Sequence, residues 1–244
     1  YSTLKNPINV KIHNILHHKN LVFLVGFPRS GTTLLDSILR SHSKTNVIEE
    51  KPFLLNIRHE YFKNHTLEEF SNISKNNIIK LQRQYFDSFN YSKKNITIDK
   101  FPLNLIELGF IKKIFPDSKI ILVVRHPLDS ILSCVLTSFK INEAMANYEN
   151  LETAAFFYTK VFDLFSVYEK VYKFSLHQIK YEKIVKNFDD EIAKLFLFLN
   201  LEFEDSVKKF NITAKNRDKI NTPSYHQVIK PIYKDSIDRY KNFK

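Results

Sequence analysis

The stretch LVFLVGFPRSGTT, Leu21 to Thr33, limits what this chain can become more than any other segment. An apolar run leads into a turn bracketed by Gly26 and Gly31, and a run of helical period follows. The chain has only three glycines, Gly26, Gly31 and Gly109. Two of them at one strand-to-helix turn mark a backbone that must take conformations closed to other residues. Such a turn aims successive N–H groups and the positive end of a helix at one point, which suits a phosphate or sulfate. The spacing matches the G-x-x-x-x-G-K-[ST] phosphate loop, except that Thr32 stands in the lysine position and the positive charge sits inside the loop as Arg29. That departure weighs against an ATPase or GTPase. Taken alone, the loop could also be an ordinary tight turn in which Ser30 or Thr32 caps a helix.

Beyond the loop, short β-rich runs alternate with longer helical segments. Strands are expected at Leu21 to Val25, Asn46 to Ile48, Ile96 to Ile98, Lys119 to Val124 and Phe174 to Ile179. Apolar stripes at Val161, Leu164, Phe165, Tyr168 and Val171, and at Phe188, Ile192, Leu195, Phe196 and Leu199, mark core-facing helices. Thr66 with Glu69 reads as a capping box opening a helix toward Phe89. From about Arg217 the periodicity lapses and returns only near Ile237, which suggests a loop and then a short terminal helix. This alternation implies an α/β chain of the P-loop type, with three layers and a central parallel sheet flanked by helices. With 43% hydrophobic residues one substantial core can form. No repeat or Pro/Gly linker divides the chain, so residues 1–244 read as a single domain with a lead segment over 1–20. Tyr at position 1 leaves an upstream region open.

A net charge of +11 points to an anionic partner, since a basic surface concentrates phosphate, sulfate or acidic chains. The lysines are scattered, without the block of like charge that a nucleic-acid-binding tail shows. The apolar runs fall short of the roughly 18 residues of a spanning helix. The single cysteine, Cys134, rules out an internal disulfide and fits a reducing, cytoplasmic setting. Within an apolar helix it reads as buried and inert. His13, His17 and His18 lack carboxylate or cysteine partners nearby, so a metal site is not expected there.

The anion loop, Glu50, Lys100, Arg125 and Tyr181 each follow an expected strand, and in a parallel sheet those ends share the edge where ligands bind. Each has a bland reading: a solvated glutamate, a surface lysine, an exposed arginine at a helix start, a packed tyrosine. Arginine is sparse beside lysine here, so Arg29, Arg125 and Arg239 are less easily idle choices. Together, PRSGTT, NVIEEKPF, TIDKFP, VRHPLDSILS, HQIKYEKIV and TPSYHQVIKPIY resemble the sulfotransferases that depend on 3′-phosphoadenosine 5′-phosphosulfate (PAPS). The likeness is closest to protein-tyrosine sulfotransferases and to bacterial sulfotransferase domains associated with tetratricopeptide repeats, and it runs from Leu21 to about Lys241.

The resemblance implies that Arg29, Ser30, Gly31, Thr32 and Thr33 hold the 5′-phosphosulfate, and that Arg125 and Ser133 hold the 3′-phosphate. A third basic position of some relatives is Thr137 here. Tyr181 would contact the nucleotide, Gln227, Val228, Ile229 and Lys230 would line it, and Arg239 would lie near the phosphates. Glu50 would be the catalytic base, with Glu49 its competitor. Lys100 and Ser224 would act on the sulfate and leaving oxygens. The implied reaction passes a sulfuryl group from PAPS to a hydroxyl acceptor, whether a tyrosyl peptide, a glycan or a small molecule, with PAP as product and no metal, nucleic acid or membrane segment involved. The loops at Phe53 to Phe62 and Phe139 to Leu151 would choose the acceptor. The rival functions are a P-loop nucleotide kinase or ATPase, and a non-enzymatic basic binder of nucleic acid or anionic polysaccharide.

Overall fold

All six residues of LVFLVG are buried, because alternate side chains of this strand enter two different cores. Leu21, Phe23 and Val25 join one apolar cluster, and Val22 and Leu24 join the other. A strand buried on both faces belongs inside a parallel sheet. The computed structural model describes residues 19–62, 67–89, 91, 95–139, 142–217 and 224–243. In chain order the elements are β1 (Leu21–Gly26), α1 (Thr32–Arg40), β2 (Thr45–Glu49), α2 (Phe53–Tyr61), α3 (Leu67–Ser71), α4 (Lys75–Asp87), β3 (Ile96–Lys100), α5 (Leu108–Ile114), β4 (Lys119–Val124) and α6 (Pro127–Val135). They continue with α7 (Leu151–Val171), β5 (Ser175–Lys180), α8 (Tyr181–Lys186), α9 (Phe188–Leu199), α10 (Phe210–Lys215) and α11 (Tyr225–Val228).

The five strands lie in the order β2-β3-β1-β4-β5, and every neighbouring pair is parallel. Residues of α2, α4, α5 and α7 cover one face; residues of α1, α9 and α10 cover the other. The result is the three-layer arrangement expected from the alternation of periods. Glu49 pairs with Lys100, and Val124 with Lys180, so the carboxyl ends of the strands share one edge. Strand order reverses between β1 and β4, and the anion loop leaves the sheet at that switch point, where α/β proteins bind ligands.

Three local expectations need correction. The segment toward Phe89 is two helices, α3 and α4: Ser74 accepts a hydrogen bond from Asn77 N at 3.2 Å and so starts a new helix, as a serine cap does. Thr66 lies outside the described residues. Phe53 to Phe62, expected as a loop, is α2 with Leu54 and Ile57 buried. Within Phe139 to Leu151, Met145–Tyr148 forms a 3₁₀ turn, and Asn150 caps α7 by accepting from Thr153 N at 2.9 Å. The expected strands are present with ends shifted by a residue or two, and a 3₁₀ turn at Arg239–Asn242 stands where a terminal helix was expected. Among the described residues no helix is long and apolar enough to cross a membrane. His13, His17 and His18 lie outside the described residues.

Candidate active site

The loop between β1 and α1 is held in a shape that its residues would not choose alone. Gly31 has φ 105°, and a Cβ there would meet the Tyr181 ring at 2.7 Å. A Cβ on Gly26 would stand 2.6 Å from the Val123 carbonyl oxygen. Arg29 also takes a left-handed backbone, φ 66°, which is costly for a side chain of that size. Its guanidinium is engaged on every arm: Nε donates to Ser133 Oγ at 3.0 Å, one terminal nitrogen to Ser224 Oγ, and the other to Gln227 Oε1 at 3.2 Å. Burial, reinforced by the charges of Arg125 and Arg239, lowers the pKa of Arg29, yet arginine remains a cation. Gly31 offers no side chain to cap α1. Ser30 Oγ is buried without a hydrogen-bond partner.

Arg125 follows β4 and ties two segments together. It donates to the Arg29 carbonyl at 3.0 Å and to the Ser236 carbonyl at 2.5 Å, and its guanidinium carbon lies 5.0 Å from the Tyr181 ring centroid. Its Nε is buried and has no hydrogen-bond partner. One turn into α6, Asp129 accepts from the backbone N–H groups of Asp238 and Tyr240, both at 2.9 Å. Cys134 on the same helix is buried with Sγ 3.4 Å from the Pro28 carbonyl. Burial pushes its thiol up to about 12, which leaves the inert thiol expected from its place in an apolar helix.

At the ends of β2 and β3 lies a compact group of charges. Lys100 Nζ, fully buried, is 2.7 Å from Glu50 Oε1, 3.3 Å from Glu49 Oε1 and 3.8 Å from Asp36 Oδ2. Arg217 donates to Glu49 Oε2 and stands 3.8 Å from Asp36 Oδ1, which Arg40 also contacts. Three carboxylates and three cations thus balance, as buried charges must. Glu50 departs from the strand at φ 46° and is pinned by its N–H donating to the Lys100 carbonyl at 2.8 Å. Its side chain is 34% exposed against 10% for Glu49, so Glu50 is the acid that reaches open space while Glu49 is committed to Arg217.

Two cavities open along this edge. The first is bounded by the loop residues Arg29, Gly31, Thr32 and Thr33, by Arg125 and Tyr181, and by Ser224, Gln227, Val228 and Lys230 from the segment above. The second, 740 Å³, lies on the Glu50 side, and Arg29, Thr32, Thr33 and Ser224 border both. Ser133 is joined to the group through Arg29, and Lys100 lies beneath Glu49 and Glu50. Ser30, Lys100, Ser133, Ile229 and Arg239 border neither cavity. Arg239 is exposed at the start of the terminal 3₁₀ turn, within electrostatic range of Arg29. The sequence reading did not single out Asp36, Arg40, Arg217 or Ser236. The scarcity of arginine that drew attention to Arg29 applies equally to Arg217. An aspartate buried on α1 among side chains that are otherwise uncharged was the signal for Asp36. Among the described residues no cluster of three His, Cys, Asp or Glu side chains is arranged to hold a metal ion.

A parallel sheet whose switch point carries a glycine-bounded anion loop, with basic side chains converging on it, defines an α/β protein of the phosphate-loop type. The model of the sulfotransferase family matches residues 22–205, and the chain belongs to that family. Protein-tyrosine sulfotransferase A of Caenorhabditis elegans is 24% identical over 240 residues, and an uncharacterized protein of Aquifex aeolicus is 26% identical over 241. These alignments take in 90% and 92% of this chain but only 60% and 31% of those proteins. Among solved structures, the sulfotransferase domain of the curacin biosynthetic pathway superposes with TM-score 0.62 at 19% identity, covering 91% of this chain and 90% of that one. The mouse sulfotransferase SULT7A1 complexed with PAP gives 0.53 at 17% identity, covering 93% and 78%. Both share the fold.

Proposed function

We propose that this chain transfers a sulfuryl group from PAPS to a hydroxyl acceptor. One observation carries the reading: the two cavities meet at Arg29, Thr32, Thr33 and Ser224, with Glu50 bordering the second cavity only. A donor on the loop side and an acceptor on the Glu50 side would face each other across that seam, which is the arrangement a direct transfer needs.

The residues suit such a donor. The buried Arg125 Nε and Ser30 Oγ carry polar capacity that no protein atom satisfies, and the Gly31 cradle has no Cβ to obstruct a close approach. Arg29, Thr32 and Thr33 would hold the 5′-phosphosulfate, Arg125 and Ser133 the 3′-phosphate, and Tyr181 with Gln227 to Lys230 the nucleoside. PAPS supplies an activated sulfuryl group: the acceptor oxygen bonds to sulfur, the bond to the 5′-phosphate oxygen breaks, and its electron pair leaves with PAP. Glu50 takes the acceptor proton. Lys100 and Ser224 donate to the oxygens on which negative charge collects. The cations of the site carry the electrostatic load, so no metal ion is invoked.

Substitution of the base tests the assignment. Glu50→Gln keeps size and hydrogen bonding but cannot accept a proton, so turnover with PAPS should fall by about 10²–10⁴ while PAP affinity holds. Glu49→Gln should show the milder loss. Near-normal turnover in Glu50→Gln would remove Glu50 from the chemistry.

A further inference from the structure

We propose that the 740 Å³ cavity on the Glu50 side receives an uncharged, largely apolar phenol or alcohol of small-molecule size, and neither an acidic peptide nor a polysaccharide. This rests on the sulfuryl-transfer reading and names its acceptor. Phe101, Pro102 and Leu103 form one wall, where the chain turns away from β3, and Phe139 and Met145 form the other, beyond α6. The neutral polar lining is Ser138 and Asn142 beside the second wall, and Thr32, Thr33 and Ser224 at the seam with the first cavity. The volume falls within the roughly 300–1,000 Å³ of small-ligand sites.

Charge separates the candidate acceptors. The charged residues bordering this cavity, among those described, are Arg29 and Glu50, and the sulfuryl-transfer reading assigns both: Arg29 to the donor's phosphosulfate and Glu50 to the acceptor's proton. Arg29 is bound by Ser133, Ser224 and Gln227, and Glu50 by Lys100. A carboxylate or sulfate carried in by an acceptor would therefore lose its water and find no free cation among the described lining residues, which opposes entry. An apolar body entering between Phe101 and Phe139 gains from leaving water. A chain of net charge +11 had ample lysine to line this cavity for an acidic acceptor, and its described lining carries no lysine, only apolar and neutral polar residues besides Arg29 and Glu50.

The apolar wall is also preformed. Phe139 packs on Tyr148 with ring centroids 5.5 Å apart, and Tyr148 on Phe27 of the anion loop at 5.8 Å. Tyr148 and Phe27 belong to the buried core, so the wall stands on rigid material and shapes the cavity before any acceptor arrives. An aromatic or alicyclic body against Phe139 would bring its hydroxyl toward Glu50, to which the proton passes as the oxygen bonds to sulfur.

The test uses the full chain, radiolabelled PAPS and four probes: 2-naphthol, estradiol, a tyrosyl peptide flanked by glutamates, and chondroitin. PAP binding is measured by calorimetry alongside. The better uncharged probe should exceed the peptide and the polysaccharide in kcat/KM by at least about tenfold. Phe139→Asp should raise KM for that probe by about tenfold or more with the PAP Kd unchanged, while Phe139→Leu retains most activity. Because Phe139 and Met145 both pack against the core, Asn142→Asp, at an exposed lining position whose hydrogen-bond acceptor it keeps, serves as a second variant with the same expectation. Preference for the peptide or chondroitin in a protein that binds PAP overturns the acceptor class and leaves the donor reading standing, and so does absence of transfer to both uncharged probes. Failure to bind PAP overturns the sulfuryl-transfer reading and this proposal with it.

Discussion

Arg29 and Glu50 both hold backbone conformations that cost about 1–3 kcal/mol each, and both are over-determined by their contacts. Arg29 is fixed through its guanidinium and its carbonyl, and Glu50 through its N–H and its carboxylate. Asn200 and Asp238 share that backbone region, but residues of their type tolerate it, whereas strain at Arg29 and Glu50 accords with their proposed roles. Arg217 borders neither cavity, yet it shares Glu49 and Asp36 with Lys100, which on the proposed mechanism lets Lys100 serve Glu50 and the sulfuryl group. Arg217→Ala should lower kcat by about tenfold or more with PAP affinity nearly unchanged, and Arg217→Lys should restore a good part of it. A uniform loss of kcat, PAP binding and stability would mark Arg217 as merely structural. Arg125→Ala should weaken PAP far more than adenosine 5′-phosphosulfate, which lacks the 3′-phosphate, if its guanidinium serves that group as proposed. Equal weakening of the two in calorimetry would remove Arg125 from the 3′ site. Glu50 and Arg125 could be picked from sequence because each directly follows a strand, and Lys100 because it ends one. Asp36 and Arg217 carried only weak signals of residue type, because their partners come from elements far apart in the chain and are chosen only when the helices pack.

β3 shows how one element can serve two purposes, since neighbouring side chains on a strand point to opposite faces. Lys100 turns to the charge cluster, while Asp99 turns into the core and accepts from the Tyr85 hydroxyl at 2.7 Å. Burial raises the Asp99 carboxyl to about 7, against the opposing pull of Tyr85 and of the Lys100 charge. The folded chain therefore binds a proton there between about pH 4 and 7 that the unfolded chain has released. This stabilisation is complete at low pH and fades as pH rises through 7, by up to about 1.4 kcal/mol per pH unit. Asp99→Asn keeps an acceptor for Tyr85 without the titration. In urea unfolding its stability relative to the parent chain should climb from pH 4.5 to 7.5 and then level off. A difference that stays flat with pH would mean that Asp99 titrates as an ordinary carboxylate. Strands and the longer helices were legible from apolar periodicity. The division between α3 and α4 was not, because a single serine cap interrupts a pattern that otherwise runs on.

The molecule as a whole should report its donor through stability. A ligand selective for the folded state adds about 2.7 kcal/mol at a hundredfold excess over Kd, which for a chain of this size means a Tm rise of roughly 5–10 °C. PAP should produce that shift in EDTA; a shift with magnesium and ATP but none with PAP would favour a nucleotide kinase. The layered architecture was legible from the order of periods alone, whereas the acceptor cavity was not, since Phe101 and Phe139 meet across it only after β3 and α6 take their places. The strand order has a further consequence during synthesis. All pairings are parallel, so none can form as a local hairpin, and β1, the first strand, lies between β3 and β4, which begin at Ile96 and Lys119. At about 5–20 residues per second, LVFLVG leaves the ribosome several seconds or more before either neighbour exists. Over that interval an uncharged, fully apolar strand is open to solvent and to other nascent chains, so the strand order carries a hazard of aggregation during synthesis that grows as translation slows.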